Sequence, residues 1–175
     1  MDKNQLRQYM KIVRQTLDTE DLSEKIIKNI RLFPQYKTAK NVLIYYPLEF
    51  ELNLLPLLDD EDKTFYLPKI FQDNIYICPY KKNDKLVKSE FNTQEPVTDP
   101  VHPSVLDLII VPGICADSLK NRIGYGKGFY DRFLAVNPNT SSIFPLPECC
   151  IIKNIPATEH DIKPHFLITE NNIIC

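Results

Sequence analysis

The sequence predicts an α/β fold with a largely parallel central sheet, and two observations carry this prediction. Short runs rich in β-branched and aromatic residues alternate with helical patterns along the chain, an order typical of βαβ units. The nearly continuous apolar run at 106–111 is of the kind expected for a strand that is buried on both faces. The length of 175 residues suits a single domain, residues 1–175, with one sizeable core.

The first element is a helix predicted over residues 3–17. Its apolar positions recur at helical spacing and are Leu6, Met10, Val13 and Leu17. A second stripe is cationic and consists of Lys3, Arg7, Lys11 and Arg14. At about 100° per residue, the cationic stripe lies directly beside the apolar one. We therefore expect these cations at the border of the buried face, where a side chain is held firmly and still reaches a ligand.

The next elements form the first half of the predicted sheet and its helices. Asp21 with Glu24 resembles a capping box for a second helix, which Pro34 ends. The β-rich runs predict strands over 41–46, 64–67 and 75–80, and a short helix is predicted over 52–58.

The second half begins with a polar stretch, 81–104, whose prolines predict a long excursion over the surface. The buried strand at 106–111 follows and ends at Pro112-Gly113. A short helix is predicted over 129–136, and two further strands are predicted over 149–152 and 166–169.

Composition and charge exclude several classes of function. The net charge of −2 provides no overall positive field for nucleic acid or an anionic membrane. The polar N-terminus lacks the apolar region of a signal peptide, and no apolar run is long enough to span a bilayer. The five cysteines, odd in number and irregularly spaced, predict reduced thiols rather than disulfides or a zinc site. We expect a cytoplasmic monomer without nucleic-acid or membrane partners.

All four glycines lie within residues 113–128, in a chain whose other loops are turned by proline, Asn and Asp. The central part, residues 121–132, reads NRIGYGKGFYDR and lies between the buried strand and the short helix. Alternate glycines bare backbone N–H groups, the helix start adds its positive end, and Arg122, Lys127 and Arg132 add cationic side chains. The segment matches neither GxxxxGK[ST] nor GxGxxG. The pattern favours a phosphate cradle over its alternative, a flexible surface turn.

Two aspartates near this segment are candidates for a magnesium site. Asp131 follows the last glycine in the first turn of the predicted helix, and Asp161 lies just ahead of a predicted strand. Mg²⁺ prefers one or two carboxylates together with waters and substrate phosphate. The alternatives are a helix N-terminal charge for Asp131 and a turn residue for Asp161, and spacing alone does not decide between them.

The residues after the first predicted strand have two interpretations each. Glu51, between Phe50 and Leu52, either accepts hydrogen bonds from a heterocycle or is a partly exposed loop acid. Tyr45 and Tyr46 either stack on an aromatic ring or pack in the core, and core packing is the default.

The glycine segment resembles the signature of a known family. The run from Val111 to Leu134 closely resembles the signature of 5-formyltetrahydrofolate cyclo-ligases, which reads roughly PGxxFDxxGxRLGxGxGYYDRxL. Weaker landmarks follow the family's order along nearly the whole chain: Lys3 with Arg7, Leu67-Pro68-Lys69, Gln94-Glu95-Pro96, Ile155-Pro156, His160-Asp161 and Ile168-Thr169-Glu170.

The resemblance implies a three-layer, Rossmann-like sandwich and an ATP- and Mg²⁺-dependent ligase. Such an enzyme cyclises 5-formyltetrahydrofolate to 5,10-methenyltetrahydrofolate and releases ADP and phosphate. In the family the formyl oxygen attacks the γ-phosphate of ATP, and N10 of the folate then attacks the activated carbon as phosphate leaves. Catalysis of this kind consists mainly of positioning and charge neutralisation around the transferred phosphoryl group.

Carried over residue by residue, the resemblance also implies roles for individual side chains. The expected ATP contacts are Lys3, Arg7, Arg122, Ile123, Gly124, Tyr125, Gly126, Lys127, Gly128, Phe129 and Tyr130. Tyr46, Glu51 and Tyr125 are expected to bind the folate, and Asp131 and Asp161 the metal. The expected catalytic residues are Lys127, Asp131 and Arg132.

Several positions depart from the family's pattern: Ala116 for a usual Phe, Lys120 for Gly, Phe129 for Tyr, Asn53-Leu54 for Asp-Thr, and the proline-rich Pro145-Leu146-Pro147-Glu148 for a strand. We expect most of these positions on the folate side of the site. Two alternatives therefore stay open: a non-catalytic relative that binds nucleotide or folate, and an ATP-dependent ligase with another substrate on the same scaffold.

Overall fold

The computed structural model of the protein describes residues 1–175 and contains twelve β-strands. In chain order they are β1 (Asn41–Leu43), β2 (Thr64–Phe71), β3 (Asn74–Tyr80), β4 (Leu86–Lys88), β5 (Gln94–Pro96), β6 (Leu108–Ile110), β7 (Cys115–Asp117), β8 (Arg122–Ile123), β9 (Ser141–Pro145), β10 (Ile151–Ile152), β11 (Phe166–Ile168) and β12 (Ile173–Ile174). Seven of them form a central sheet in the order β12-β11-β9-β6-β1-β2-β3. The five inner strands are parallel and the two edge strands antiparallel, which confirms the predicted α/β class.

Helices cover both faces of this sheet. They are α1 (Lys3–Gln15), α2 (Thr19–Leu32), α3 (Pro34–Thr38) and α4 (Phe129–Val136). Successive residues of a strand point to opposite faces, so Val42 of β1 packs in one core with Ile26 and Ile30 of α2. Leu43, the next residue, packs in a separate core with Phe133 of α4. The three-layer arrangement that the resemblance implies is therefore confirmed.

A third core lies between α1 and a small sheet of strand order β10-β7-β8. Leu6 and Met10 of α1 pack there against Cys115 and Ile123. Asp2 caps α1 in a capping box with Gln5, and the helix ends at Gln15 rather than at the predicted Leu17. This core fixes α1 directly beside the strands that carry the glycine segment.

The predicted start of the second helix is wrong. Its N-cap is Asp18, whose carboxylate accepts the backbone N–H of Asp21 at 3.1 Å. Because the helix begins at Thr19, Asp21 already lies in its first turn. The Asp21 carboxylate instead pairs with Lys25 one turn later, as oppositely charged residues at i and i+4 do.

The strand β9 has no predictive signal in the sequence although it is central to the sheet. Its sequence, SSIFP, begins with two serines and ends with a proline. Ser142 is nevertheless fully buried, and its hydroxyl is satisfied there by Nδ1 of His165 at 2.8 Å. Pro145 is tolerated as the last residue of the strand, where its missing N–H interrupts no inner part of the ladder.

Three further predictions are corrected in detail. The predicted helix at 52–58 is a 3₁₀ helix, Leu55–Asp59. Of the predicted strand at 149–152, only Ile151–Ile152 is extended, since a 3₁₀ turn precedes it. The stretch 81–104 is more than a surface excursion, because β4 and β5 form a hairpin within it. The buried Glu95 of this hairpin accepts the N–H of Ile70 at 3.0 Å.

All five cysteines are free thiols, as predicted. Cys78, Cys115 and Cys150 are buried and the other two are exposed. No helix is both long and apolar enough to cross a membrane.

Candidate active site

A cavity of about 910 Å³ opens beside the carboxyl ends of two central strands. Tyr45 and Tyr46, which follow β1, and Pro112, which follows β6, line it, in the position where open α/β sheets bind ligands. Its volume is at the upper end of the range of about 300–1,000 Å³ for ligand pockets. Six cationic and four acidic side chains line it: Lys3, Arg7, Lys11, Arg122, Lys127, Arg132, Glu51, Asp131, Glu159 and Asp161. The cavity is thus locally positive in a chain whose net charge is −2.

Every residue that the sequence and the resemblance predict for the site lines this one cavity. The set combines the amino end of α1, the loop after β1, the glycine segment, the first turn of α4 and the turn at 159–162. These pieces are distant in sequence and are brought together by the parallel strand order.

The glycine segment presents unused backbone donors to the cavity. The N–H groups of residues 124–128 donate to no backbone carbonyl of the chain. Gly126 has φ of +96°, and Gly128, with φ of +69°, is the N-cap of α4 and brings no capping side chain. The first turn of a helix leaves its own N–H groups without intrahelical partners. This geometry is a cradle for an anion.

Helix α1 leans over the cradle through Arg7. Its Nε donates to the carbonyl oxygen of Gly124 at 2.9 Å. A Cβ added to Gly126 would lie 3.3 Å from the guanidinium carbon of Arg7. Lys3 forms an ion pair with Asp161. The border position expected for these two cations is confirmed. Arg14 differs, because it is only 5% exposed and donates to the backbone oxygen of Gly113.

The two candidate metal ligands are neighbours at one end of the cavity. Oδ1 of Asp131 accepts from Arg122 Nη2 at 3.1 Å and from the N–H of Ile162, the residue after Asp161, at 3.2 Å. Oδ2 of Asp161 accepts from Lys3 and from Thr158. Partial burial opposes ionisation of Asp161, but these hydrogen bonds outweigh it and lower its pKa. Each carboxylate keeps its other oxygen free of protein donors.

A buried carboxylate also contacts the glycine segment. Glu51 is 6% exposed and accepts the N–H of Leu48 at 2.8 Å and the hydroxyl of Tyr125 at 2.6 Å. The interpretation of Glu51 as a partly exposed loop acid is therefore wrong. Burial raises the pKa of Glu51, although both hydrogen bonds and the charge of Arg14 oppose the shift. Burial also raises the pKa of Tyr125, and the adjacent Glu51 adds to this.

Sequence reasoning missed the wall formed by the β4–β5 hairpin. Phe91 lines the cavity and packs edge-on against Phe129, with ring centroids 5.1 Å apart. Pro68 and Ile70 of β2 lie on the same lining. The polar composition of 81–104 conceals Phe91, and its only signal is one aromatic residue within a polar stretch.

The departures from the family's pattern do not cluster at the cavity, contrary to expectation. Ala116 is buried in the core beneath α1, and Leu54 is buried in the core beneath α2. Asn53 donates its N–H to Ser23 Oγ at 2.9 Å. None of these three lines the cavity, whereas Phe129 does. The cavity therefore keeps most of the side chains on which the resemblance rests.

Known structures share this architecture. The NMR structure of Aquifex aeolicus 5,10-methenyltetrahydrofolate synthetase matches with a TM-score of 0.86 and 32% identity, over 99% of this chain and 92% of that chain. A 5,10-methenyltetrahydrofolate synthetase from Mycoplasma pneumoniae matches in fold with a TM-score of 0.79 at 21% identity, over 97% and 99% of the two chains.

Sequence comparison agrees with the structural one. The 5-formyltetrahydrofolate cyclo-ligase of Escherichia coli K12 is 25% identical over 165 residues, which cover 88% of this chain and 91% of that protein. The probable 5-formyltetrahydrofolate cyclo-ligase of Schizosaccharomyces pombe is 26% identical over an alignment of 203 positions, which covers 99% of this chain and 98% of that protein. The model of the 5-formyltetrahydrofolate cyclo-ligase family matches residues 1–170. With nearly its whole length matched, the chain belongs to the 5-formyltetrahydrofolate cyclo-ligase family.

Proposed function

We propose that the protein uses ATP to cyclise 5-formyltetrahydrofolate to 5,10-methenyltetrahydrofolate, with release of ADP and phosphate. The observation that carries this proposal is the joining of two unlike surfaces in one cavity. One is a cradle of free N–H groups and cations, and the other is a buried carboxylate beside tyrosines. A polyphosphate and a heterocycle fit these surfaces side by side.

The phosphate side is formed by the N–H groups of residues 124–128 with Lys3, Arg7 and Lys127 around them. Bound ATP supplies the phosphoryl group that converts the formyl oxygen into a leaving group. The protein's part is to hold the phosphates and to neutralise their charge. Fixed N–H groups do so without reorganisation during the reaction, which makes them effective electrostatic stabilisers. Lys127 and Arg132 are the proposed catalytic cations of the segment.

On the folate side, Glu51 is the proposed acceptor for N–H groups of the reduced pterin. Its position is held by Leu48 and Tyr125, so the carboxylate is oriented before the substrate arrives. Tyr46 and Tyr125 offer aromatic surface beside it. Holding the substrate in one orientation relative to the phosphate side makes a large contribution to the rate, because the reacting groups no longer have to find each other.

Asp131 and Asp161 fit a magnesium ion that is bound mainly through substrate phosphate. Mg²⁺ keeps several waters and takes only one or two protein carboxylates in sites of this type. No group of three or more acidic, histidine or cysteine side chains is present that would form a closed metal cage. Each aspartate has one oxygen fixed by protein donors and one oxygen free. When bound, the ion would neutralise phosphate charge at this end of the cavity.

The remaining expectations stay predictions: one functional unit over residues 1–175, a monomer, a cytoplasmic location, and no nucleic-acid or membrane partner. Size-exclusion chromatography with light scattering tests the oligomeric state directly.

The proposed function is tested by measuring ADP release with 5-formyltetrahydrofolate present and absent, at several ATP and Mg²⁺ concentrations. Lys127→Ala should raise the KM for ATP, and Asp131→Asn should raise the Mg²⁺ concentration needed for half-maximal rate. Lys82→Ala is the matched control, because Lys82 is an exposed lysine paired with Asp59 outside the cavity. ADP release that is independent of the folate would contradict the proposed reaction. Normal turnover of Lys127→Ala at low ATP would remove the glycine segment from the phosphate site.

A further inference from the structure

Arg122 occupies a slot between two glycines. A Cβ added to Gly113 would lie 3.2 Å from Cγ of Arg122. A Cβ added to Gly124 would lie 2.9 Å from Nη1 of Arg122. The side chain is only 4% exposed although it lines the cavity. Gly124 has no positive φ that would require glycine. The absence of a side chain at Gly124 is therefore explained by the space that Arg122 fills.

Each terminal nitrogen of Arg122 makes one hydrogen bond within the protein. Nη1 donates to the carbonyl oxygen of Pro112 at 2.9 Å, and Nη2 donates to Oδ1 of Asp131 at 3.1 Å. Its Nε is buried and has no partner. Because both terminal nitrogens are engaged and only 4% of the side chain is exposed, the guanidinium is oriented towards Pro112 and Asp131 and offers little accessible surface to a phosphate in the cavity. Lys127, by contrast, is exposed and makes no hydrogen bond or ion pair with the chain.

These contacts fix the orientation of the Asp131 carboxylate. Its Oδ1 is held from two sides, by Arg122 and by the N–H of Ile162. The free Oδ2 is consequently held in one orientation, with 27% of the side chain exposed. Partners that orient a metal-binding carboxylate typically change metal affinity by about 10–100-fold when they are removed.

We infer that Arg122 is a positioning residue for the divalent cation rather than a phosphate ligand, and that Gly124 is required because it makes room for Arg122. This inference rests on the proposed function, since it takes Asp131 as a ligand of the cation that accompanies ATP. It reassigns Arg122 within the site and gives Gly124 a role separate from that of Gly126 and Gly128.

The substitution Arg122→Lys separates the two roles. Lysine keeps the charge and serves well as a phosphate ligand, but one ammonium cannot reproduce the planar fork that reaches both Pro112 and Asp131. ATP binding is measured by calorimetry in EDTA and again with MgCl₂. For Arg122→Lys we expect unchanged ATP affinity in EDTA and loss of the gain in affinity that Mg²⁺ provides, by about tenfold or more. Lys127→Ala should show the opposite pattern.

Gly124→Ala is the second variant, because its backbone needs no unusual φ and its Cβ displaces only Arg122. Like Arg122→Lys, it should lose the gain in ATP affinity that Mg²⁺ provides, which we call Mg²⁺ coupling. Its melting temperature is measured in parallel. Arg31→Lys, which alters a surface arginine paired with Asp60, is the matched control and should behave as wild type. Weaker ATP binding of Arg122→Lys in EDTA, or intact Mg²⁺ coupling in both Arg122→Lys and Gly124→Ala, would overturn the inference. If Lys127→Ala also leaves ATP binding unchanged, the proposed phosphate site itself fails.

Discussion

Replacing Gly126 by alanine tests how the glycine segment is built. Its φ of +96° lies in the region that L-residues with a Cβ rarely adopt, at a cost of roughly 1–2 kcal/mol. The new Cβ would also lie 3.3 Å from the Arg7 guanidinium carbon, tighter than most such contacts. If the segment keeps its conformation, the variant loses this free energy as unfolding stability. If the segment relaxes in the free protein, ATP must restore the conformation and affinity falls instead.

The two losses in Gly126→Ala should therefore sum to about 1–2 kcal/mol. If the whole free energy is lost from binding, the affinity for ATP falls about 5–30-fold. If the whole free energy is lost from folding, the melting temperature falls by about 2–8 °C. Urea unfolding and calorimetric ATP titration measure the two quantities. Lys120→Ala is the control, because Lys120 carries a positive φ without lining the cavity. Wild-type stability together with wild-type affinity in Gly126→Ala would refute this account of the segment.

Three further predictions concern stability and thiol chemistry. Lys120→Gly should exceed Lys120→Ala in unfolding free energy by about 1 kcal/mol, because φ at this position is +64°; equal urea midpoints would contradict this. Burial raises the pKa of Glu51, so the folded state releases this proton less readily than the unfolded chain. Wild type should lose stability relative to Glu51→Gln as pH rises above about 4, and a stability gap that is constant between pH 4 and 7 would argue against a raised pKa. With a thiol reagent at pH 8, only the exposed Cys149 and Cys175 should react in the native protein and all five cysteines in urea; a third fast thiol would contradict the described burial.

The thiol prediction rests on burial as well as on ionisation. Burial raises the pKa of Cys115 to about 12, and it does the same for Cys150. These two thiols lie in the core beneath α1. They are therefore protonated as well as inaccessible at the pH of the assay.

Much of the candidate site was predictable because its signals are local. The restriction of glycine to 113–128 and the border position of Lys3 and Arg7 on α1 depend only on composition and helical periodicity. The helix 129–136 has the bounds that its sequence predicts. Arg122 could not be assigned in this way, since its partners Pro112 and Asp131 come from a strand end and a helix start.

Features whose local signal is weak or ambiguous were not predicted correctly. β9 is a strand because two neighbouring strands, β6 and β11, pair with it on either side. Asp18 rather than Asp21 caps α2, and both are acidic residues ahead of the same apolar positions. Glu51 looks like a loop acid in sequence, but it is buried and accepts a hydrogen bond from Tyr125, a residue distant in sequence. Tertiary contacts decide the conformation of β9 and the burial of Glu51, whereas the choice between Asp18 and Asp21 is made locally at the helix start.

The most direct test of the central claim is the absorbance of methenyltetrahydrofolate when purified protein is mixed with 5-formyltetrahydrofolate, ATP and Mg²⁺. The account predicts growth of this band only when all three are present, with one ADP released for each product formed. Tight ATP binding without growth of the band would contradict the proposed reaction and would favour a relative that binds nucleotide without this chemistry.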